Sequence, residues 1–446
     1  MDKTITLINE KMTQYRWTIC ALLFFATTIN YMDRQVLSLL QPRLSAEFGW
    51  TNNDYANIVS VFSFVYAMAM LFAGRIIDWL GTKKGYAWSI AIWSAGACMH
   101  ALAHLLPGHS VLGFSAARTV LAVGEGGNFP AAIKTTAEYF PKKDRAFATG
   151  IFNSGSNVGA ILAPITVPII ADKWGWEWAF ILIGALGFIW MIAWLFLYEV
   201  PALNKRVNKA EMAYIESDSN VEVVPAEDSK KESFTYMQCL RHKQTWAFAV
   251  GKFMTDGVWW FFLFWLPAYL KAQYNMEGLA ISIPLAVLYT MSSFGSVFGG
   301  AFPAYFIKKG YNPYAGRMKA MLIIAVFPLV VLLAPIFGSL SYWVPVVLIG
   351  IGTAAHQAWS ANIFSTVGDM FPKKAIATIT GIGGMAGGIG SVFINKGAGE
   401  IFDYYQSIGS IETGYAILFV FCAIAYMIAW GIMKLLVPKF KPITNL

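Results

Sequence analysis

Apolar runs of about twenty residues, each followed by a short polar segment, recur from one end of the chain to the other. A helix of that length crosses a ~30 Å hydrocarbon core. Twelve such spans fall near residues 17–40, 54–73, 85–105, 111–137, 147–170, 177–198, 244–270, 281–306, 318–337, 342–369, 375–399 and 412–436. The one long polar stretch, 199–243, divides them six and six. The pattern predicts an all-α integral membrane fold, with six-helix halves at 1–198 and 244–446 and a linker at 199–243. The first run is too long for the apolar region of a secretory signal and lacks a small-residue cleavage site, so it is expected to remain as a helix.

Composition agrees. Of 446 residues, 57% are hydrophobic and only 13% are charged. A soluble domain carries about a quarter charged residues. The net charge of +8 would fit a nucleic-acid partner, but its placement gives another reading. Twenty-six lysines and arginines fall in alternate segments that include both termini and the linker; the opposite side has Arg43, Lys173, Lys271 and Lys396. The positive-inside rule therefore predicts cytoplasmic termini and linker, and no nucleic-acid partner is needed. Three of the four cysteines (20, 98 and 422) lie in apolar runs and Cys239 lies in a charged loop. No disulfide framework is expected from that placement.

The halves also repeat. FPKKDRAFATG starts at Phe140 and FPKKAIATITG at Phe371, each after an even-numbered span. Duplicated six-helix halves with a substrate cavity between them are a transporter plan.

Ionisable residues deep in a span are costly and mark functional candidates. They are Asp33 and Arg34 in the first span, Arg118 and Glu125 in the fourth, Lys252 and Asp256 in the seventh and His356 in the tenth. If the first span runs outward and ends near residue 40, Asp33 lies ~10 Å below its outer end and Arg118 at nearly the same level. Glu125 is two turns deeper on the Arg118 face. The offset that carries Phe140 onto Phe371 carries Glu125 onto His356, pairing a carboxylate with an imidazole at equivalent depths. Two arrangements are open. Asp33 with Arg118, or Arg34 with Glu125, could pair permanently as structural glue. Alternatively, a carboxylate balanced between burial and a cationic neighbour holds a proton in one state and an ion pair in another. The arginine it releases then grips an anion bidentately.

Lys252 and Asp256 are one turn apart and are expected to pair. The run WWFFLFW at 259–265 reads as lipid-facing or packing surface, with one of its indoles lining the cavity. His100 and His104 have a spacing that metals use but no carboxylate beside them, and no metal site is expected. Glycines crowd 155–160, 295–300 and 381–390. Such a pattern lets helices approach closely and slide.

GRIIDWLGTKK, Gly74 to Lys84, resembles the G-x3-D-x2-G-x-[KR]-[KR] loop of the major facilitator superfamily; the second-half counterpart, GGAFPAYFIKKG, lacks the Asp. NYMDRQVLS, RTVLAVGEGGNFPAAIK, WGWEWAF and AHQAWSA resemble the anion:cation symporter branch, and GKFMTDGVWWFFLFWLPAYL is most similar to hexuronate transporters. The resemblance implies the major facilitator fold and a latch of Asp78, Glu138 and Arg145 on the cytoplasmic side. It implies that Asp33 and Glu125 couple protons, that Arg118 tunes Glu125, and that Arg34 holds the substrate carboxylate while Tyr31 and Tyr66 line the cavity. Asn153, Asn157, Gln357, Trp359 and Asn362 are candidates for recognising hydroxyl groups, which a polyhydroxylated ligand needs in number, and His356 is expected to line the cavity, either tuning recognition or taking part in proton movement.

The expectation is a proton symporter that imports glucuronate or galacturonate across a bacterial inner membrane, as a monomer in the lipid bilayer and with no cofactor beyond the proton motive force. Galactonate, glucarate or another organic anion is the alternative cargo, and sodium the alternative coupling ion. A non-transporting sugar-acid sensor fits less well, since the linker is short and has no recognisable signalling fold. An enzyme is not expected, because the spans hold no metal-ligand set or nucleophile–base motif.

Overall fold

A computed structural model describes residues 11–105, 108–217, 236–372 and 375–443. Twelve helical spans are present among them. The first half contains Tyr15–Phe48, Asn52–Leu80, Thr82–Met99, a fourth span split into Ser110–Glu125 and Asn128–Tyr139, Lys142–Trp174 and Trp176–Leu197. The second contains Lys243–Tyr274, Ser282–Ala301, Pro313–Val326, Trp343–Met370, Ile376–Ser407 and Ile411–Leu436, with short helical turns completing the eighth and ninth. Six of these, the second, fifth, sixth, eighth, ninth and twelfth, are long and apolar enough to cross a membrane on length and composition alone. The first, fourth and seventh, which carry the buried charges, are among the other six.

The helices outrun the apolar runs at several ends. The first continues past residue 40, through Pro42, until Gly49 at φ 69° allows the chain to turn. Asp33 therefore lies near the middle of a 34-residue helix, and not close to its end. The segment 199–243 is also more than a loop, since it contains the short helices Lys209–Ile215 and Tyr236–Leu240, the latter burying Cys239. Glu211 is buried and accepts from the backbone N–H of Tyr15 and Arg16 and from the Arg16 guanidinium at 3.0 Å. This ties the start of the linker to the first span.

The repeat is structural. Phe140 and Phe371 end the fourth and tenth spans with nearly the same extended backbone (φ −125°, ψ 135° and φ −120°, ψ 149°). Gly159 and Gly390, related by the same offset, play the same part: a Cβ on either would strike backbone, the Thr28 carbonyl in the first span or the Phe253 carbonyl in the seventh. The fifth and eleventh spans thus press on the first and seventh.

The halves meet through the second and eleventh, fifth and eighth, and first and seventh spans. Polar contacts concentrate at the face remote from the linker. Asp403 accepts the backbone N–H of Asn52 and Asn53 at 2.7 and 2.9 Å, capping the second span from the other half. Lys396 donates to Asn53 and Asn57, and the Tyr55 hydroxyl to the Phe264 carbonyl at 2.7 Å. Deeper in the seam, Ser63 meets Ser391 at 3.0 Å. These bonds seal that face.

Of the two expectations for the 259–265 run, packing surface holds and lipid-facing does not. All seven side chains are buried, because the seventh span is wrapped by the first, tenth, eleventh and twelfth.

Candidate functional site

The glycines flanking Glu125 determine where its helix goes. A Cβ on Gly124 would lie 2.3 Å from the Trp93 backbone nitrogen, and on Gly127 2.1 Å from Ser89 Oγ. A Cβ on Gly126 would lie 2.7 Å from the Ala69 methyl. Only a glycine surface lets the fourth span press this closely on the second and third, and the helix breaks directly after Glu125.

Glu125 is thereby brought to the first span. Arg34 Nη2 and Nε donate to one carboxylate oxygen, Glu125 Oε2, at 2.6 and 2.9 Å. Both residues are buried. The rings of Tyr31, Phe62, Tyr66 and Trp260 surround the guanidinium, their centroids 4.9, 5.4, 4.8 and 5.0 Å from its carbon. A guanidinium is weakly hydrated, so its faces can pack on rings while its edge donates hydrogen bonds. Trp260 comes from the second half, so the cage closes only when the halves meet. Tyr31 and Tyr66 remain half-buried and form its open side.

Behind the cage stand Asp33 and Arg118, both buried. Arg118 Nη2 donates to the Arg34 carbonyl at 3.2 Å, and its guanidinium lies 5.2 Å from the Phe62 ring. Among the described residues its Nε and Nη1, both Asp33 oxygens and Glu125 Oε1 have no hydrogen-bond partner. Glu125 and Arg118 are the charges that act on the Asp33 carboxyl. Of the two pairings open in the sequence, Arg34–Glu125 forms and Asp33–Arg118 does not.

The other predicted residues divide. His356 Nδ1 meets the Tyr426 hydroxyl at 2.8 Å and its ring stacks on Trp259, centroids 5.2 Å apart. Trp359 stands edge-on to Tyr426, and Gln357 is half-buried beside them in sequence. Asn362 spends its amide on the Gly299 and Ala358 carbonyls, both at 2.8 Å, at the contact of the eighth and tenth spans. Asn153 is exposed and Asn157 half-buried. Both lie across the fifth helix from Gly155 and Gly159. None of these six joins the Arg34 cage. Glu138 accepts from Thr82 at 2.6 Å and from the Tyr198 hydroxyl, and Arg145 donates to the Phe140 and Ala137 carbonyls at 2.9 and 2.8 Å. The Asp78 side chain lies outside the described residues. Beside Glu138, Lys83 donates to Glu199 at 2.7 Å and holds that carboxyl below the usual glutamate range. His100 uses Nδ1 on the Gly96 carbonyl, and no group of three or more His, Cys, Asp or Glu side chains that could hold a metal occurs among the described residues.

Phe62 escaped the sequence reading altogether, and Trp260 was anticipated only as one indole among several. Phe62 stands one turn from Tyr66, which was the available signal. The buried cluster of Asp33, Arg34, Arg118 and Glu125 holds two acids and two bases. A proton on either acid leaves a net positive charge that an entering anion would neutralise, and the released Arg34 edge is shaped for a carboxylate.

The Major Facilitator Superfamily profile matches residues 23–394. The chain is 30% identical over 428 residues to the hexuronate transporter of Escherichia coli (strain K12), covering 95% of each chain. It is 24% identical over 440 residues to the probable galactarate/D-glucarate transporter of the same strain, covering 96% of this chain and 97% of that one. Among solved structures it superposes on a bacterial homologue of the human lysosomal transporter Spinster, in an inward-facing and unoccupied conformation, with a TM-score of 0.75, 16% identity and coverage of 96% and 98%.

Proposed function

The chain belongs to the Major Facilitator Superfamily, a family of multi-pass membrane transporters and not of enzymes, and from that premise we propose that it imports sugar-acid anions by proton symport. Hexuronates (glucuronate and galacturonate) are the proposed cargo and the bacterial inner membrane the setting, with termini and linker cytoplasmic; the 30% likeness to a hexuronate transporter supports this reading.

The observation that carries the proposal is the Arg34–Glu125 bond inside a cage built by both halves, with Asp33 unpartnered behind it. Protonating Glu125 releases Arg34, whose edge then takes the substrate carboxylate. Asp33 holds the second proton-binding position, where Arg118 and Glu125 set its charge. When the seam at Asp403 and Lys396 opens, the cage loses Trp260 and is exposed outward. When it closes, the cargo leaves on the linker side and Glu125 recaptures Arg34. The drive is the proton motive force, with no cofactor, and one chain suffices because both cage walls belong to it. Aldarates are the second reading, favoured by the likeness to a probable galactarate/D-glucarate transporter.

The test is uptake of labelled galacturonate by proteoliposomes under an inward proton gradient without sodium. The proposal expects accumulation above equilibrium, abolished by a protonophore. Accumulation driven by sodium alone would overturn the coupling. Accumulation of galactonate or glucarate with none of galacturonate would overturn the cargo.

A further inference from the structure

Besides the Arg16–Glu211 pair at the linker, a largely buried ion pair stands apart from the Arg34 cluster, and the Arg34 cycle does not use it. Lys252 Nζ bonds Asp256 Oδ2 at 2.6 Å, one turn apart on the seventh span. Lys252 is 4% exposed and its ammonium lies 4.2 Å from the centre of the Phe364 ring. The Asp256 side chain keeps 16% of its surface. Burying such a pair costs desolvation on both partners, so it is weak evidence for a stabilising role.

Its position is informative. Asp256 lies one turn, roughly 6 Å along the axis, on the linker side of Trp260. Trp260 in turn covers Arg34. Asp256 also lies three residues before Trp259, which stacks on His356. Trp260 belongs to the Arg34 cage and Trp259 to the His356 cluster, and both follow Asp256 within about one turn of the same helix. The pair therefore stands between the two aromatic clusters. A Cβ on Gly387 would come within 2.3 Å of Asp256 Oδ2, so the eleventh span holds the carboxylate from one side.

We infer that Asp256, held by Lys252, is a specificity-determining residue that receives the end of the sugar acid remote from Arg34; this rests on the sugar-acid reading above. An ionised carboxylate accepts hydrogen bonds and offers none. Asp256 thus suits the hydroxyl groups of a hexuronate. It repels the second carboxylate of an aldarate, because like charges brought together in a site of low polarity are strongly unfavourable. With Asp256 neutralised, Lys252 becomes an unpaired cation at the same place, and the preference should reverse towards dicarboxylates.

The experiment measures inhibition of labelled galacturonate uptake by unlabelled galactarate in proteoliposomes of the full chain, for the unsubstituted protein, for Asp256→Asn, and for Lys252→Met combined with Asp256→Asn. In Asp256→Asn, galactarate should gain about tenfold or more in potency relative to galacturonate. The double variant, which leaves no lone buried charge, should lose discrimination without gaining that preference, and it decides the matter if Asp256→Asn does not fold. A galactarate-to-galacturonate ratio unchanged in both variants overturns the inference. Absence of galacturonate uptake in the unsubstituted protein, with uptake of another anion, overturns the hexuronate reading on which the inference rests, and the inference with it, whereas an unchanged ratio in a protein that does take up galacturonate overturns the inference alone.

Discussion

Glu125→Gln keeps the shape of the side chain at the centre of the cage and removes its charge. In the native protein Arg34 makes two charge-assisted bonds to Glu125 Oε2, and both partners are shielded from solvent. Removing one charge of a buried pair costs roughly 3–5 kcal/mol, because the other is left uncompensated. The glutamine carbonyl still accepts one bond and the four rings still face the cation, so the lower end, about 3 kcal/mol, is expected. An anionic substrate replaces the missing charge. At a hundred times its Kd, a ligand stabilises the folded state by about 2.7 kcal/mol, which restores most of the loss. The variant should also bind galacturonate at least as tightly as the native protein, since no glutamate competes for Arg34. Thermal unfolding in detergent, with and without galacturonate, reads both effects, and proteoliposome uptake reads the third. Exchange between labelled and unlabelled galacturonate should persist, while gradient-driven accumulation disappears. Uphill accumulation at the native rate would refute the coupling role of Glu125. Loss of all galacturonate stabilisation would refute the release of Arg34 as the binding step.

Other expectations follow from the same geometry. Asp33→Asn removes a buried carboxylate with no hydrogen-bond partner. Stability should hold or rise by about 1 kcal/mol while uptake stops responding to an imposed proton gradient; a response equal to the native one contradicts this. Asp403→Ala deletes the two bonds that its carboxylate accepts from the backbone N–H of Asn52 and Asn53. Each is worth roughly 1.5–3 kcal/mol, and their loss should open the face remote from the linker. Spin-label distances between the second and eleventh spans should lengthen in a larger fraction of molecules, and an unchanged distribution would count against the seal. Lys83→Met removes the donor that holds Glu199 below the usual range. A depressed carboxyl stabilises the fold above the unfolded glutamate range, and that contribution fades as pH falls through the depressed value. Since the pair is partly exposed, the variant should lose less than about 1 kcal/mol at neutral pH and nothing measurable in acid, as read by melting temperature at the two pH values.

The twelve spans were legible because bilayer-length apolar runs are hard to mistake, and the repeat because FPKK recurs at the same helix end. Helix ends were less so: the first span runs on through Pro42 to Phe48. A proline and a polar final turn remain compatible with a helix. The candidate charges stood out by type and depth. Their pairing did not, because neighbouring residues on a helix point about 100° apart and only tertiary placement decides whether Asp33 or Arg34 meets the fourth span. The sequence left both pairings open; the glycines around Glu125 let the fourth span come close enough for one. The cage was harder still. Phe62 reads as an ordinary apolar residue, and WWFFLFW offers several rings of which Trp260 reaches Arg34. Asn362 donates its Nδ2 hydrogens to two backbone carbonyls, a use that the spacing could not reveal, while its Oδ1 stays without a partner among the described residues.

The most direct test of proton–anion coupling traps a pH-sensitive dye inside proteoliposomes, with no gradient and no sodium, and adds galacturonate outside. Coupled entry predicts that the interior acidifies in step with labelled galacturonate uptake, and that Glu125→Gln abolishes the acidification while exchange continues. Uptake of galacturonate with the interior pH unchanged would contradict it.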